Sequence, residues 1–310
     1  MIGGLHNLDR LVVFVNVVDK QSVTQAAEDL YLTQPCISKH IKALEELFGV
    51  TLLERGRRRI VPTEAGWIVY RFAQNIIHSL EDLDNAMSEF RGAKVGNLYI
   101  GASSTIGNYL LPPILSRFKS QNPGADIILR IGTSQQVYEA VENGDIQIGL
   151  TTGIHIPEDL AVEVLCRDEL VVVAARNHPL SEQDTITVQQ LAEQDFIHSP
   201  YGTPTCDLII ETLNRVGIKP RIVIALEHPE AIKRAVEEHM GVSLLYRISV
   251  ARELASGTLR ELKVQGLSFW GDYNIIYNPS RYQSPILRRF LDFLRKEIVN
   301  FMPSESTCES

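Results

Sequence analysis

The sequence predicts a multidomain α+β chain: an N-terminal helix-turn-helix with a basic wing, one long linker helix, and a C-terminal two-lobed α/β part. Three observations predict it. Residues 22–48 hold a short capped helix, a tight connection and a second capped helix with a basic face. Residues 64–91 repeat apolar side chains at threes and fours, with neither proline nor glycine after Gly66. From residue 96 onward strands and helices alternate, and the first three strands run into Ser or Thr.

Bulk properties bound the reading. A chain of 310 residues, 45% hydrophobic, is too long for one typical core, so two or three domains are expected. The net charge of −8 argues against a wholly basic nucleic-acid coat. Residues 1–62 hold 8 Lys/Arg and 7 Asp/Glu, the remainder 22 and 31, so the acidic excess lies outside the first segment. Cys36, Cys166, Cys206 and Cys308 form no C-x-x-C pair and have no histidine at metal spacing, so neither a zinc site nor any other cofactor is expected. No secretory signal pattern opens the chain, and no apolar run of about 18 residues occurs, so a soluble, cytoplasmic protein is expected.

In order along the chain, Leu8, Leu11, Val12, Val15 and Val18, with Phe14 beside them, follow helical spacing. Ser22 and Gln25 make a capping-box pattern ahead of Val23, Ala26, Ala27 and Leu30. Thr33 caps a third helix, Pro35 sits in its first turn, where a missing N–H costs nothing, and Gly49 follows its end. Ile37, Ile41, Leu44 and Phe48 form its apolar edge. The second helix of such a pair lies in the major groove, N-terminal residues first. Gln34 there can reach a base edge, Ser38 a base or a phosphate, and Lys39 and Lys42 a phosphate or guanine. A bland alternative is a solvated helix face. The next stretch, "LLERGRRRIVPTEAG" (52–66), weighs against it: Arg55, Arg57, Arg58 and Arg59 stand in a short hairpin suited to phosphates or a narrow minor groove.

The stretch "SVTQAAEDLYLTQPCISKHIKALEELFGVTLLERGRRRIVPTEAG" resembles the DNA-binding domain of LysR-type transcriptional regulators. Ala26, Ala27, Leu30, Gln34, Pro35, Ser38, Ile41, Leu44, Glu45, Leu47, Gly49, Leu52, Arg55, Arg58, Thr63, Ala65 and Gly66 stand where the family signature has them. The resemblance implies DNA contacts from Gln34, Pro35, Ser38 and Lys39 and wing contacts around Arg55 to Arg59. Cys36 and Leu53 depart from the pattern, and both are apolar substitutes that fit.

Val69, Phe72, Ile76, Leu83, Met87 and Phe90 make a heptad-like seam over residues 63–92, with Leu80 one place off. A core helix of the next domain is the competing reading. The resemblance implies a linker helix that pairs two chains, hence a homodimer or a homotetramer of two dimers. "GAKVG" (92–96) closes it.

Residues 93–301 read as β-α-β-α-β and then a second set of strands and helices. Lobe one is placed at about 93–165 and 268–301, lobe two at about 166–267, and 302–310 is a polar tail expected to be disordered. Two such lobes resemble a periplasmic-binding-protein fold, which is also the family's effector domain. Ligands of open α/β sheets bind beyond the carboxyl ends of strands, where helix N-termini offer N–H groups. Ser103, Ser104, Thr105, Thr133 and Thr152 stand there, and the resemblance adds the loop Gly202, Thr203 and Thr205. That loop lacks the family's usual arginine, and His228 and Pro229 replace small residues. Ser and Thr are also ordinary strand-end residues; their recurrence on three consecutive strands favours a site for a small polar or anionic metabolite.

The expected partners are therefore operator DNA, a small-molecule effector and further copies of the chain, with RNA polymerase implied by the resemblance. The wording "GASSTIGNYLLP" is similar to members that control sulfur, nitrogen or carbon assimilation genes. A solute-binding protein or a small-molecule enzyme on the two lobes is the alternative. No G-x-G-x-x-G, P-loop or G-x-S-x-G stands in the chain, and no catalytic residue is assigned.

Overall fold

Three short helices, a two-stranded hairpin and a long helix build the N-terminal unit of the computed structural model, which describes residues 6–55, 59–90, 96–152 and 156–301. The elements are α1 (His6–Lys20), α2 (Val23–Asp29), α3 (Gln34–Phe48), β1 (Leu53–Arg55), β2 (Ile60–Pro62) and α4 (Glu64–Phe90). Their core is Val13, Phe14, Val17 and Val18 with Ala26, Ala27, Ile37, Ile41, Leu44 and Leu52. The buried stripe of α1 is thus 13/14/17/18; it includes the predicted Phe14 and Val18, Leu11 packs partly against it, and Val12, predicted on the stripe, is exposed. Residues 11–18 contain one polar side chain, Asn16, so periodicity alone could not choose the face.

Local chemistry explains the helix ends. The Ser22 hydroxyl accepts from the Gln25 N–H at 3.3 Å. Thr33 stands extended at the start of α3, but its side chain makes no cap bond; Pro35 alone eases that end. Gly49 closes α3 at φ 71°, a left-handed conformation that costs a side chain energy. Phe48, expected on the buried edge, is exposed. The wing is tied to α3 by Glu45, whose carboxylate accepts from the Leu52 N–H at 2.8 Å and the Leu53 N–H at 3.3 Å. The first turn of α4 runs against the same backbone: a Cβ on Gly66 would lie 2.1 Å from the Leu52 carbonyl oxygen.

The long helix has 27 residues. Val69, predicted in its seam, packs instead into the helix-turn-helix core with Ala65 and Tyr70. The open stripe is Ile68, Phe72, Ile76, Leu80, Leu83 and Met87, all exposed. Leu80 belongs to it because it lies four residues after Ile76 and three before Leu83, the spacing that keeps side chains on one helix face.

The second unit comprises β3 (Gly96–Ser103), a π-helical turn (Ile106–Leu110), α5 (Leu111–Gln121), β4 (Ala125–Gly132), α6 (Ser134–Asn143), β5 (Ile148–Thr152) and β6 (Ala161–Ala175). It continues with α7 (Val188–Ala192), β7 (Asp195–His198), α8 (Pro204–Arg215), β8 (Arg221–Ala225), α9 (Pro229–Glu237) and β9 (Ser243–Tyr246). It ends with α10 (Arg247–Ser256), β10 (Leu259–Glu261), β11 (Phe269–Tyr277) and α11 (Pro285–Phe301). The main sheet runs β10-β6-β11-β5-β3-β4, with β9 also on β6, and β7 and β8 form a separate parallel pair. β3 is parallel to both β4 and β5, as the β-α-β-α-β pattern predicts. β11 then returns antiparallel to β5 and β6.

The lobe boundary drawn at 165/166 falls inside β6, a single strand of 15 residues. Its first part pairs with β11, and Leu170 to Val173 pair with β9. β6 and β11 are therefore the two strands that carry the chain from one lobe to the other, and the sheet is continuous through them. The tail 302–310, the wing tip 56–58 and the closing "GAKVG" up to residue 95 lie outside the described residues.

Candidate functional site

The first candidate surface is the outer face of α3. Gln34, Ser38 and Lys42 recur at fours, Pro35 and Lys39 sit beside them, and all five are exposed opposite buried Ile37, Ile41 and Leu44. One amide N–H of Gln34 is already committed, donating from Nε2 to the Thr24 hydroxyl at 3.0 Å, which fixes the amide on the α2 side. Lys42 pairs loosely with Glu46 at 3.8 Å, an exposed contact worth little. Arg59 is exposed at the base of the wing. Arg55 lies in β1, and Arg57 and Arg58 fall outside the described residues. Tyr31, in a left-handed turn at φ 54° and 96% exposed, stands in the connection between α2 and α3.

The second is a cleft of about 100 Å³ in the α/β unit. Ser103, Ser104, Thr105, Thr133 and Thr152 of lobe one line it, and so do Thr203 and Thr205 of lobe two. Gly202 does not line it; it is exposed at φ 80°, where it serves the turn into α8. Each lining group has a local cause. Ser103 is the last residue of β3, and the π-helical turn that follows Thr105 re-aims the helix start. Thr133 and Gln136 exchange cap bonds at the head of α6, with Gln136 N–H to the Thr133 hydroxyl at 3.2 Å and Thr133 N–H to the Gln136 side chain at 2.9 Å. Thr203 caps α8 by accepting from the Cys206 N–H at 3.4 Å. The hydroxyls of Thr152 and Thr205, one from each lobe, are 3.1 Å apart and hydrogen-bonded.

Sequence reasoning missed the inner wall. His198, Ser243 and Tyr246 also line the cleft, and all three are buried. His198 ends β7 just before a Ser/Thr loop, the same signal that singled out the strand-end hydroxyls. Ser243 and Tyr246 are hydroxyls inside the apolar run "VSLLY", where a fully buried strand shows no alternation. Tyr246 packs on Tyr273 with ring centroids 5.2 Å apart. The Tyr273 hydroxyl donates to Asp168 at 2.7 Å, and the Ile248 N–H donates to the same carboxylate at 3.2 Å. A buried carboxylate between two elements thus sets the tyrosine wall.

The electrostatics are quiet. Among the described residues no Lys or Arg lines the cleft, and Glu227 is the one acidic residue that does. Burial pushes the His198 imidazole below its usual range, so it is neutral near pH 7. Burial, with Asp207 beside it, pushes the Cys206 thiol up to about 11, which leaves it protonated and unreactive. His228 is exposed at the head of α9 and is absent from the lining, whereas Pro229 is present. Among the described residues, Cys36, Cys166 and Cys206 form no disulfide. Among the described residues there is no cluster of His, Cys, Asp and Glu able to hold a metal ion, and no helix is long and apolar enough to cross a membrane.

Comparison with known proteins matches both parts. The family described as "LysR substrate binding domain" matches residues 91–298, and "Bacterial regulatory helix-turn-helix protein, lysR family" matches residues 8–67. The HTH-type transcriptional activator CmpR of Synechocystis is 33% identical over 287 residues, covering 93% of this chain and 94% of that protein. A protein of Chlorokybus atmophyticus named "Probable RuBisCO transcriptional regulator" is 29% identical over 290 residues, 91% of this chain and 92% of its own. Full-length CbnR, solved in complex with its target DNA, has the same fold: TM-score 0.71 at 23% identity, over 93% of this chain and 99% of that one.

Proposed function

Because this chain belongs to the LysR family of transcriptional regulators, we propose that its α3 face and wing read an operator and that a small polar or anionic metabolite in the cleft controls that reading. The protein is a regulator with an effector-binding domain, not an enzyme. Gln34 and Ser38 supply base contacts, Pro35 fits the backbone approach, and Lys39, Lys42 and the arginines from Arg55 to Arg59 supply phosphate charge. The exposed stripe of α4 pairs two chains so that two recognition helices meet two half-sites, as a dimer or a pair of dimers. The regulated promoter recruits RNA polymerase, and the genes belong to carbon assimilation; the relative named for RuBisCO supports that assignment.

One observation carries the effector reading: hydroxyls at the ends of β3, β4 and β5 converge with the Thr203 loop on one cleft, whose walls come from both lobes. A ligand that touches both walls stabilises one lobe angle over another, and only such a differential contact can shift a conformational equilibrium. The test is a DNA mobility shift with full-length protein and its operator duplex, with and without the low-molecular-mass filtrate of the cells that carry the gene. The double variant Ser103→Ala/Thr105→Val is expected to bind the duplex with wild-type affinity and to lose the response to filtrate. A full response from the double variant would place the effector elsewhere.

A further inference from the structure

Three side-chain atoms of residues lining the cleft are buried and make no hydrogen bond: Ser103 Oγ, His198 Nε2 and Ser243 Oγ. Their residues are 6%, 3% and 0% exposed. An unmade buried hydrogen bond costs about 1–3 kcal/mol, and native proteins keep few of them. Three around one cleft specify the chemistry it binds. The rest of this inference builds on the reading of the cleft as the effector site.

The two hydroxyls can each donate or accept, so they tolerate many ligands. His198 does not. Its Nδ1 lies 3.1 Å from both the Ser199 carbonyl oxygen and the Ser199 hydroxyl; the carbonyl can only accept, and we assign the tautomer that satisfies it, with the proton on Nδ1. The Thr203 hydroxyl shares its one proton between the Pro200 carbonyl at 2.9 Å and the Ser199 hydroxyl at 3.2 Å. Nε2 is then a bare lone pair on a neutral ring and calls for an O–H or N–H on the ligand.

The surrounding helices decide between those two. α6, α8 and α9 all begin on the cleft, at Ser134, after Thr203 and at Pro229. Their first-turn N–H groups and dipole ends favour negative charge and repel an ammonium. A carboxylate therefore fits, and an amine does not. With no Lys or Arg among the lining residues and Glu227 present, a single negative charge is accommodated and a second is not. A cavity of about 100 Å³ admits a ligand of about three to six carbons.

We propose that the cleft takes a small monoanionic hydroxy acid, and that His198 selects it by accepting a hydrogen bond from the ligand's hydroxyl at Nε2. Ser103 reaches the ligand from lobe one while His198 and Ser243 hold it from lobe two, so the same ligand spans the lobes.

The test uses full-length protein and isothermal titration with four matched probes: glycerate, lactate, alanine and propionate. Glycerate and lactate are expected to bind at least about tenfold more tightly than propionate, with no heat from alanine, because a site built around a hydroxyl rejects the analogue lacking it. His198→Phe should bring lactate and propionate within about twofold, and His198→Gln, whose amide oxygen accepts, should keep the preference. ¹⁵N NMR of the wild-type imidazole reads the tautomer whether or not the variants fold, and a proton on Nδ1 is expected. Propionate binding as well as lactate, a preference that survives His198→Phe, or a proton on Nε2 would overturn hydroxyl selection. If no probe binds, a cleft-filling Ser103→Trp separates the remaining cases. Loss of the filtrate response in that variant overturns the ligand class and keeps the effector site; a retained response overturns both.

Discussion

Replacing Phe72 and Ile76 together by glutamate is expected to leave the protein a monomer in analytical ultracentrifugation and to cut operator affinity by about a hundredfold or more. The two side chains lie in the open stripe Ile68, Phe72, Ile76, Leu80, Leu83 and Met87 of α4, and Phe72 is 67% exposed. Each such side chain is worth about 1.5–3 kcal/mol when buried against a partner. A charge at the seam removes that gain and adds the cost of desolvating a carboxylate. The loss at DNA follows because two linked recognition helices bind with an effective concentration that a single one lacks. An unchanged mass would remove the stripe from the account of assembly.

Lys233→Ala is the second large effect, expected to lower the unfolding midpoint of the effector-binding unit by about 10 °C. The side chain of Lys233 is only 4% exposed. Its ammonium donates to Glu253 at 2.9 Å and to the Ser249 carbonyl at 3.0 Å, and it pairs with Glu230 at 2.6 Å. Truncating one partner of a buried pair costs about 3–5 kcal/mol, and a kilocalorie moves the midpoint of a unit this size by about 2–4 °C. Glu230 is mostly solvated and contributes the smaller share. The network also crosses the lobes: the Tyr109 hydroxyl, on the turn before α5, donates to Glu230 at 2.6 Å, and the Lys233 ammonium sits 5.0 Å from the Tyr109 ring. Lys233→Met, which keeps the stem, should recover the packing part only. Differential scanning calorimetry decides; a change under about 2 °C would mean the ammonium reaches water in solution.

Much of this architecture was legible because local chemistry and pattern agree. Ser22, Pro35 and Gly49 mark helix ends by their backbone preferences, and the apolar edge Ile37, Ile41, Leu44 has one helical solution. Where several faces are apolar, as in residues 11–18, spacing could not select the buried one. Val69 illustrates the same limit: it keeps heptad register but is claimed by the helix-turn-helix core, a tertiary choice that periodicity does not encode. In the cleft, strand-end hydroxyls were readable because strand ends are where ligands meet open sheets. The inner wall was not, since Ser243 and Tyr246 lie in a strand buried on both faces. Lys233 left a trace, standing in the i, i+3, i+4, i+7 stripe of Pro229, Ile232 and Val236, where an apolar residue was due.

The central claim is that α3 reads a duplex sequence. In vitro selection of random duplex DNA by the full-length protein, followed by binding curves for wild type and Gln34→Ala, tests it most directly. The account predicts an enriched motif of two half-sites spaced by whole helical turns of about 10 base pairs. Gln34→Ala should lose about 1–3 kcal/mol on that motif and little on random duplex, whereas Arg59→Ala should weaken both alike. No enriched motif, or a Gln34→Ala protein that selects the same motif with the same affinity, would contradict it.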